Sequence, residues 1–226
     1  MSITGSSGMI VVQPGASVTN SAGNAAVVST GFNNILNVFG SISGSNAAGI
    51  TVQNGAYFPG GINPDPYAGA GGGFYTPPGY RAGQLDVRIA ASGSITGDVA
   101  IRADAVPNAT AYAMVSNEGS LTGTSGVAIA TGGGVFQRFS NQVTGTITGA
   151  LQGAFNIVSN LGAIQAGDRA AIALTAIPFS ILSVSNGGSD QSNATAPQAA
   201  LITNASAVAT ITLPEGYLTN TGTIRN

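Results

Sequence analysis

The residues able to do chemistry are few. Asp86, Arg88, Arg102 and Asp104 occur as Asp-x-Arg and Arg-x-Asp, so each pair shares one face of its strand, with Asp98 in the turn between them. Paired carboxylates are the minimum for glycoside hydrolysis. The same residues fit a plainer role, because the opposite order of charges lets Asp86 meet Arg102 or Arg88 meet Asp104 on adjacent strands. Such a surface ion-pair ladder fixes register, and it is the favoured reading. The polar stretch Ser185 to Asn193 around Asp190 offers oxygen donors to calcium. It brings one carboxylate where the ion prefers six to eight oxygens, and it lacks the Gly-Gly-x-Gly-x-Asp nonapeptide, so it reads as a loop.

The rest of the composition narrows the chemistry further. The 226 residues include no Cys, His, Trp or Lys, and the charges are six Arg, six Asp and two Glu. Thiolate and imidazole metal sites, disulfides, a Ser-His-Asp triad and a cysteine nucleophile are therefore excluded. Scattered arginines with a net charge of -2 cannot supply a nucleic-acid footprint. The chain reads as a non-enzyme without cofactor or metal. Its best apolar run, Ala170 to Val184, is too short for a transmembrane segment and contains Pro178. The amino terminus lacks the basic and apolar regions of a secretory signal peptide.

What must position any site is nearly all β. Short β-branched runs such as Met9 to Val12, Leu85 to Ile89 and Val208 to Leu213 are bounded by Gly and Asn, and read as strands with one face buried. A motif of Gly, a small residue, then Ile or Leu recurs at Gly40, Gly93, Gly119, Gly145, Gly162 and Gly222, in units of about 17 to 26 residues. An apolar-Ser/Thr-Asn step precedes several of them, as in Val115-Ser116-Asn117, Val158-Ser159-Asn160 and Leu218-Thr219-Asn220, with relatives ending in Asn20, Asn186 and Asn204. In a parallel β-solenoid each coil adds one strand to each sheet, inward residues stack as apolar ladders, and Gly or Asn take tight left-handed corners. Asn repeated at equivalent corners forms a side-chain amide ladder. Eight to ten coils would make a rod on the order of 40 to 50 Å long.

Strings such as Val115-Ser116-Asn117-Glu118-Gly119-Ser120-Leu121-Thr122-Gly123 and Leu218 to Ile224 resemble the degenerate repeats of bacterial surface β-helices, among them autotransporter passengers and filamentous-haemagglutinin-type adhesins. The resemblance covers most of the chain outside residues 56 to 84. It implies one right-handed parallel β-helix domain over residues 1 to 226 and an extracellular or cell-surface location. Export would then use a route without an N-terminal signal peptide. No catalytic residue carries over.

Residues 56 to 84 interrupt the repeat with Tyr57, Phe58, Tyr67, Phe74, Tyr75 and Tyr80, five prolines and Gly71-Gly72-Gly73. They read as an inserted loop suited to contact with a neighbouring subunit, to covering the flank, or to binding a glycan. The termini fall inside a repeat: Ser2 to Val12 aligns without gaps on Ser120 to Ala130, and Leu218 to Ile224 on Val115 to Leu121. Neither end carries a recognisable cap, and residues 1 to 64 contain no charged side chain. Charged edges are one device by which sheets avoid pairing. The expectation is a structural subunit that stacks head to tail on copies of itself into a filament. Ile3, Met9, Val11, Leu218, Asn220 and Ile224, together with the six aromatics of the insertion, are its contact candidates. The alternative is an adhesin or tail-fibre-like module that holds a glycan through the insertion.

Overall fold

A computed structural model describes the chain from Met1 to Asn226 except residues 56, 60, 65–72, 77, 81, 108, 179 and 188–199. The alternation of β-branched and small polar residues gives strands whose faces differ sharply. Ala111–Asn117 buries every second side chain, as does Asn34–Val38. Among the described residues the strands form two large sheets, of eight and 14 strands, in which all pairing between named strands is parallel.

In the smaller sheet the order is Met9–Val12, Asn34–Val38, Gly83–Ile89, Ala111–Asn117, Val135–Asn141, Ile157–Asn160, Ser183–Asn186 and Tyr217–Asn220, so neighbours follow chain order. The larger sheet contains two runs of strands. One passes from Ser17–Asn20 through Ser41–Gly44 and Ser94–Gly97 to Thr223–Arg225, the other from Ser2–Ile3 through Val27–Ser29 and Ile50–Gln53 to Ile211–Thr212. Two long strands, Ser120–Gly132 and Thr146–Ala154, belong to both runs and fuse them.

This corrects the expected right-handed parallel β-helix (β-solenoid). The chain forms two parallel sheets of unequal size, a parallel sandwich in outline, because two of its corners do not end a strand. Gly126, in Ser120–Gly132, and Gly149, in Thr146–Ala154, have φ of 85 and 116°, and near them these two strands pass from one run to the other with a shift of register between Thr122 and Val127.

Inward side chains of both sheets make one apolar core. Ile42, Ile95, Leu121, Ile147, Ile164 and Ile202 lie in register on consecutive strands and are buried. Phe155 stacks on Phe136 at 4.8 Å and meets Phe139 edge-on at 6.4 Å. Among the described residues there is no helix, hence none long and apolar enough to cross a membrane.

Within the insertion, expected as a loop, the described residues include two short antiparallel pairings. Tyr57–Phe58 pairs antiparallel with Gly79–Tyr80, and Gly61–Pro64 with Gly73–Thr76. Pro64 ends its strand, and among the described residues no third strand needs its missing N–H.

The repeated glycines owe their place to crowding. Gly40, Gly93, Gly119, Gly145, Gly162 and Gly222 are all absent from the positive-φ residues, against the expected left-handed corners. A Cβ at any of these six would fall within 3.0 Å of a backbone carbonyl oxygen. At Gly93, Gly119 and Gly162 that oxygen belongs to the preceding row, on Val38, Gly93 and Gly145. The chain turns from the small sheet to the large one so tightly that nothing larger than hydrogen fits.

Candidate assembly site

The most developed polar structure is a column of asparagines along the small sheet. Asn117, Asn141, Asn160 and Asn186 are buried, and Asn220 continues the column on the outermost strand. Each Nδ2 donates to the Oδ1 of the next residue at 2.8 Å, from Asn117 to Asn141, Asn160, Asn186 and Asn220. Each of the first four also donates across the corner to a backbone carbonyl of the large sheet, at 3.4 Å to Thr146, 3.2 Å to Ala163, 3.3 Å to Leu201 and 3.2 Å to Thr223. A primary amide suits this place because it supplies two donors and an acceptor.

The ladder has direction. Toward the amino terminus the column continues as Ile89, Val38 and Val12, and the Oδ1 of Asn117, facing Ile89, has no partner. Toward the carboxyl terminus Asn220 accepts from Asn186 and is exposed. The apolar-Ser/Thr-Asn steps at 115–117, 158–160, 184–186 and 218–220 supply four members. Asn141 was not foreseen, although Phe139-Ser140-Asn141 carries the same signal. Asn20 and Asn204 stand elsewhere: Asn20 accepts from the Ala22 N–H, and Asn204 donates to the Val208 carbonyl.

The contact candidates fall mainly on strand edges. Met9 and Val11, 66% and 39% exposed, lie on the first strand of the small sheet, and Leu218, 48% exposed, lies on its last. Ile3 is buried on Ser2–Ile3, and Ile224 is half-buried on Thr223–Arg225. Tyr57 and Tyr80 are exposed and meet edge-on, 5.3 Å between ring centres, at the base of the antiparallel arm. Phe58, Phe74 and Tyr75 belong to strands of that arm. Tyr67 and the Asp190 loop lie outside the described residues.

Two expectations drawn from sequence order are corrected. Ser2 does not align with Ser120: its register runs through Val28, Thr51 and Arg102 to Ala130. Met9–Val12 correspondingly lies in the register of Met114–Asn117. The Ser-apolar-Thr-Gly pattern misleads because both runs of the large sheet need small residues around an inward apolar one. Leu218 to Ile224 does share the register of Val115 to Leu121.

The four charges do not meet across strands either. Gly83–Ile89 is in the small sheet and Ile101–Asp104 in the large one, so Asp86 pairs with Arg88 at 2.6 Å and Asp104 with Arg102 at 2.9 Å, each within its own strand. Both pairs are solvent-exposed, a setting where ion pairs contribute about 0–1 kcal/mol. They hold no register between strands. Among the described residues no three His, Cys, Asp or Glu come together.

Comparison with family models, curated proteins and solved structures found no match.

Proposed function

We propose that the chain is a structural subunit that polymerises by adding strands at the two open edges of its parallel sheets, forming a filament at the cell surface or outside the cell. The observation that carries this is the state of the outermost strands. Leu218 is 48% exposed although Leu36, Val87, Val115, Phe139, Val158 and Val184, which precede it in the same inward column, are buried. Among the described residues no further strand covers its apolar surface.

Ser2–Ile3, Met9–Val12 and Ser17–Asn20 on one edge, and Ile211–Thr212 and Tyr217–Asn220 on the other, carry no charged side chain. Arg225 on Thr223–Arg225 is exposed. Natural sheets blunt such edges with charge, proline or a covering segment. The reading gives Asp86 and Asp104 no catalytic role, since each carboxylate is occupied by an arginine of its own strand.

Leu218→Arg tests it. The side chain is exposed enough for the single chain to tolerate arginine, whereas an added strand would bury the unpaired charge. Sedimentation should find large assemblies for the unaltered chain and a discrete species for the variant. Equal sedimentation of the two, or a discrete unaltered chain, would remove the proposal.

The exposed Tyr57–Tyr80 pair favours a second reading, in which the arm holds a glycan by aromatic contact. A discrete chain that retains a glycan and loses it on Tyr57→Ala would favour that adhesin reading instead.

A further inference from the structure

We infer that a second copy docks its Met9–Val12 strand on Tyr217–Asn220 in one register, with Ile10 on Leu218 and Val12 on Asn220. The inference rests on the assembly proposed above and specifies its joint.

Seven parallel pairings within the small sheet place Ile10 and Leu218 at the two ends of a single inward column, and Val12 and Asn220 at the two ends of the adjacent one. Docking in that register continues both columns. A slip of one residue would set Leu218 beside outward-facing Val11 and turn the inward set of the strand to solvent. A slip of two would press the Asn220 amide against Ile10, in a column that holds only apolar side chains.

Val12 against Asn220 sets an apolar side chain beside the ladder, as Ile89 does at Asn117, but at the donor end instead of the acceptor end. The neighbouring sheet supplies the hydrogen bond. The carbonyls that accept from the ladder across the corner, on Thr146, Ala163, Leu201 and Thr223, are register partners of one another. In that column Ser17 is the outermost member at the opposite edge. A second copy in the stated register therefore offers its Ser17 carbonyl to the Asn220 Nδ2. Met9 would fall on Tyr217, at the rim of a cavity of about 560 Å³ also lined by Ile181 and Glu215. Its exposed, flexible side chain suits an irregular gap.

The second copy is the occupant because both edges agree in column, chemistry and charge. Each ends an apolar column, and neither Met9–Val12 nor Tyr217–Asn220 bears a charged side chain.

The chain has no cysteine, so introduced thiols report the joint without background. Val11→Cys with Thr219→Cys places two outward thiols on directly opposed residues, with Cα atoms about 5 Å apart, within disulfide reach. Mild oxidation of this double variant should give a covalent ladder of multimers. A mixture of the two single variants should stop at dimer. Val11→Cys with Tyr217→Cys, offset by two residues, should cross-link at least roughly tenfold less. If filaments form but the offset pair links as readily, or the opposed pair stays reduced, the register is wrong while the assembly reading stands. If the unaltered chain forms no assembly, both fall together.

Discussion

Replacing Asn160 by Ala is expected to cost about 3–5 kcal/mol of stability, far more than an exposed polar-to-alanine change. Asn160 is fully buried and sits mid-ladder, accepting from Asn141 and donating to Asn186 at 2.8 Å each. Its amide also donates to the carbonyls of Gly162 and Leu201 at 3.1 and 3.3 Å. Alanine leaves the Asn186 Oδ1 and one Asn141 N–H donor without their side-chain partners in a buried site. Asn141 keeps its bonds to Gly145 and Ala163, so the damage centres on the rows above. The comparison is Asn220→Ala, at the exposed end of the same ladder, expected to cost about 1 kcal/mol or less in the single chain. Urea unfolding in the Leu218→Arg background, where assembly does not interfere, should give a much lower midpoint for Asn160→Ala at similar slope. Equal midpoints for the two would mean that the ladder is not a stabilising unit.

Gly119→Ala is expected to be the next most damaging small change, costing about 3 kcal/mol or more. The added methyl would meet the carbonyl oxygens of Gly93 and Ala90 and the Ile89 Cγ2, all within 3.0 Å. Those carbonyls cannot yield, because the Gly93 oxygen accepts from the Ser120 N–H at 3.0 Å and the Ala90 oxygen from the Gly93 N–H at 2.7 Å. Moving them would break the pairing of two rows. Gly167→Ala is the control: its Cβ would meet nothing within 4 Å, and the expected change is within about 0.5 kcal/mol. Similar unfolding midpoints for Gly119→Ala and Gly167→Ala would show that the recurring glycine does not answer to crowding between rows.

These two residue types were legible in sequence because each repeats a local demand. A corner with no space selects Gly every time the chain turns, and a buried corner with several unpaired backbone groups selects a primary amide. Alternation exposed the inward columns for the same reason, since a strand with one buried face needs an apolar residue at every second position.

What local demand does not encode was misread. The number of sheets depends on whether two corners end a strand, and Ser120–Gly132 and Thr146–Ala154 continue past theirs, near Gly126 and Gly149, where other strands stop. Sequence similarity placed Ser2–Ile3 in the wrong run because both runs of the large sheet draw on the same small residues. Asp86 and Arg102 stand in strands that belong to different sheets, and their spacing carries no sign of it. The arm pairs antiparallel between Gly61–Pro64 and Gly73–Thr76, a non-local pairing hidden by its prolines and glycines.

The central proposal, growth by strand addition at open sheet edges, is tested most directly by electron microscopy of the purified chain with measurement of the axial repeat. Among the described residues the small sheet holds eight strands, so rows about 4.8 Å apart give a subunit rise of about 38 Å along the filament, superposed on the 4.8 Å row spacing. Filaments with that rise are the expected result. Discrete particles at high concentration, or fibres in which the rows do not stack along the axis, would contradict it.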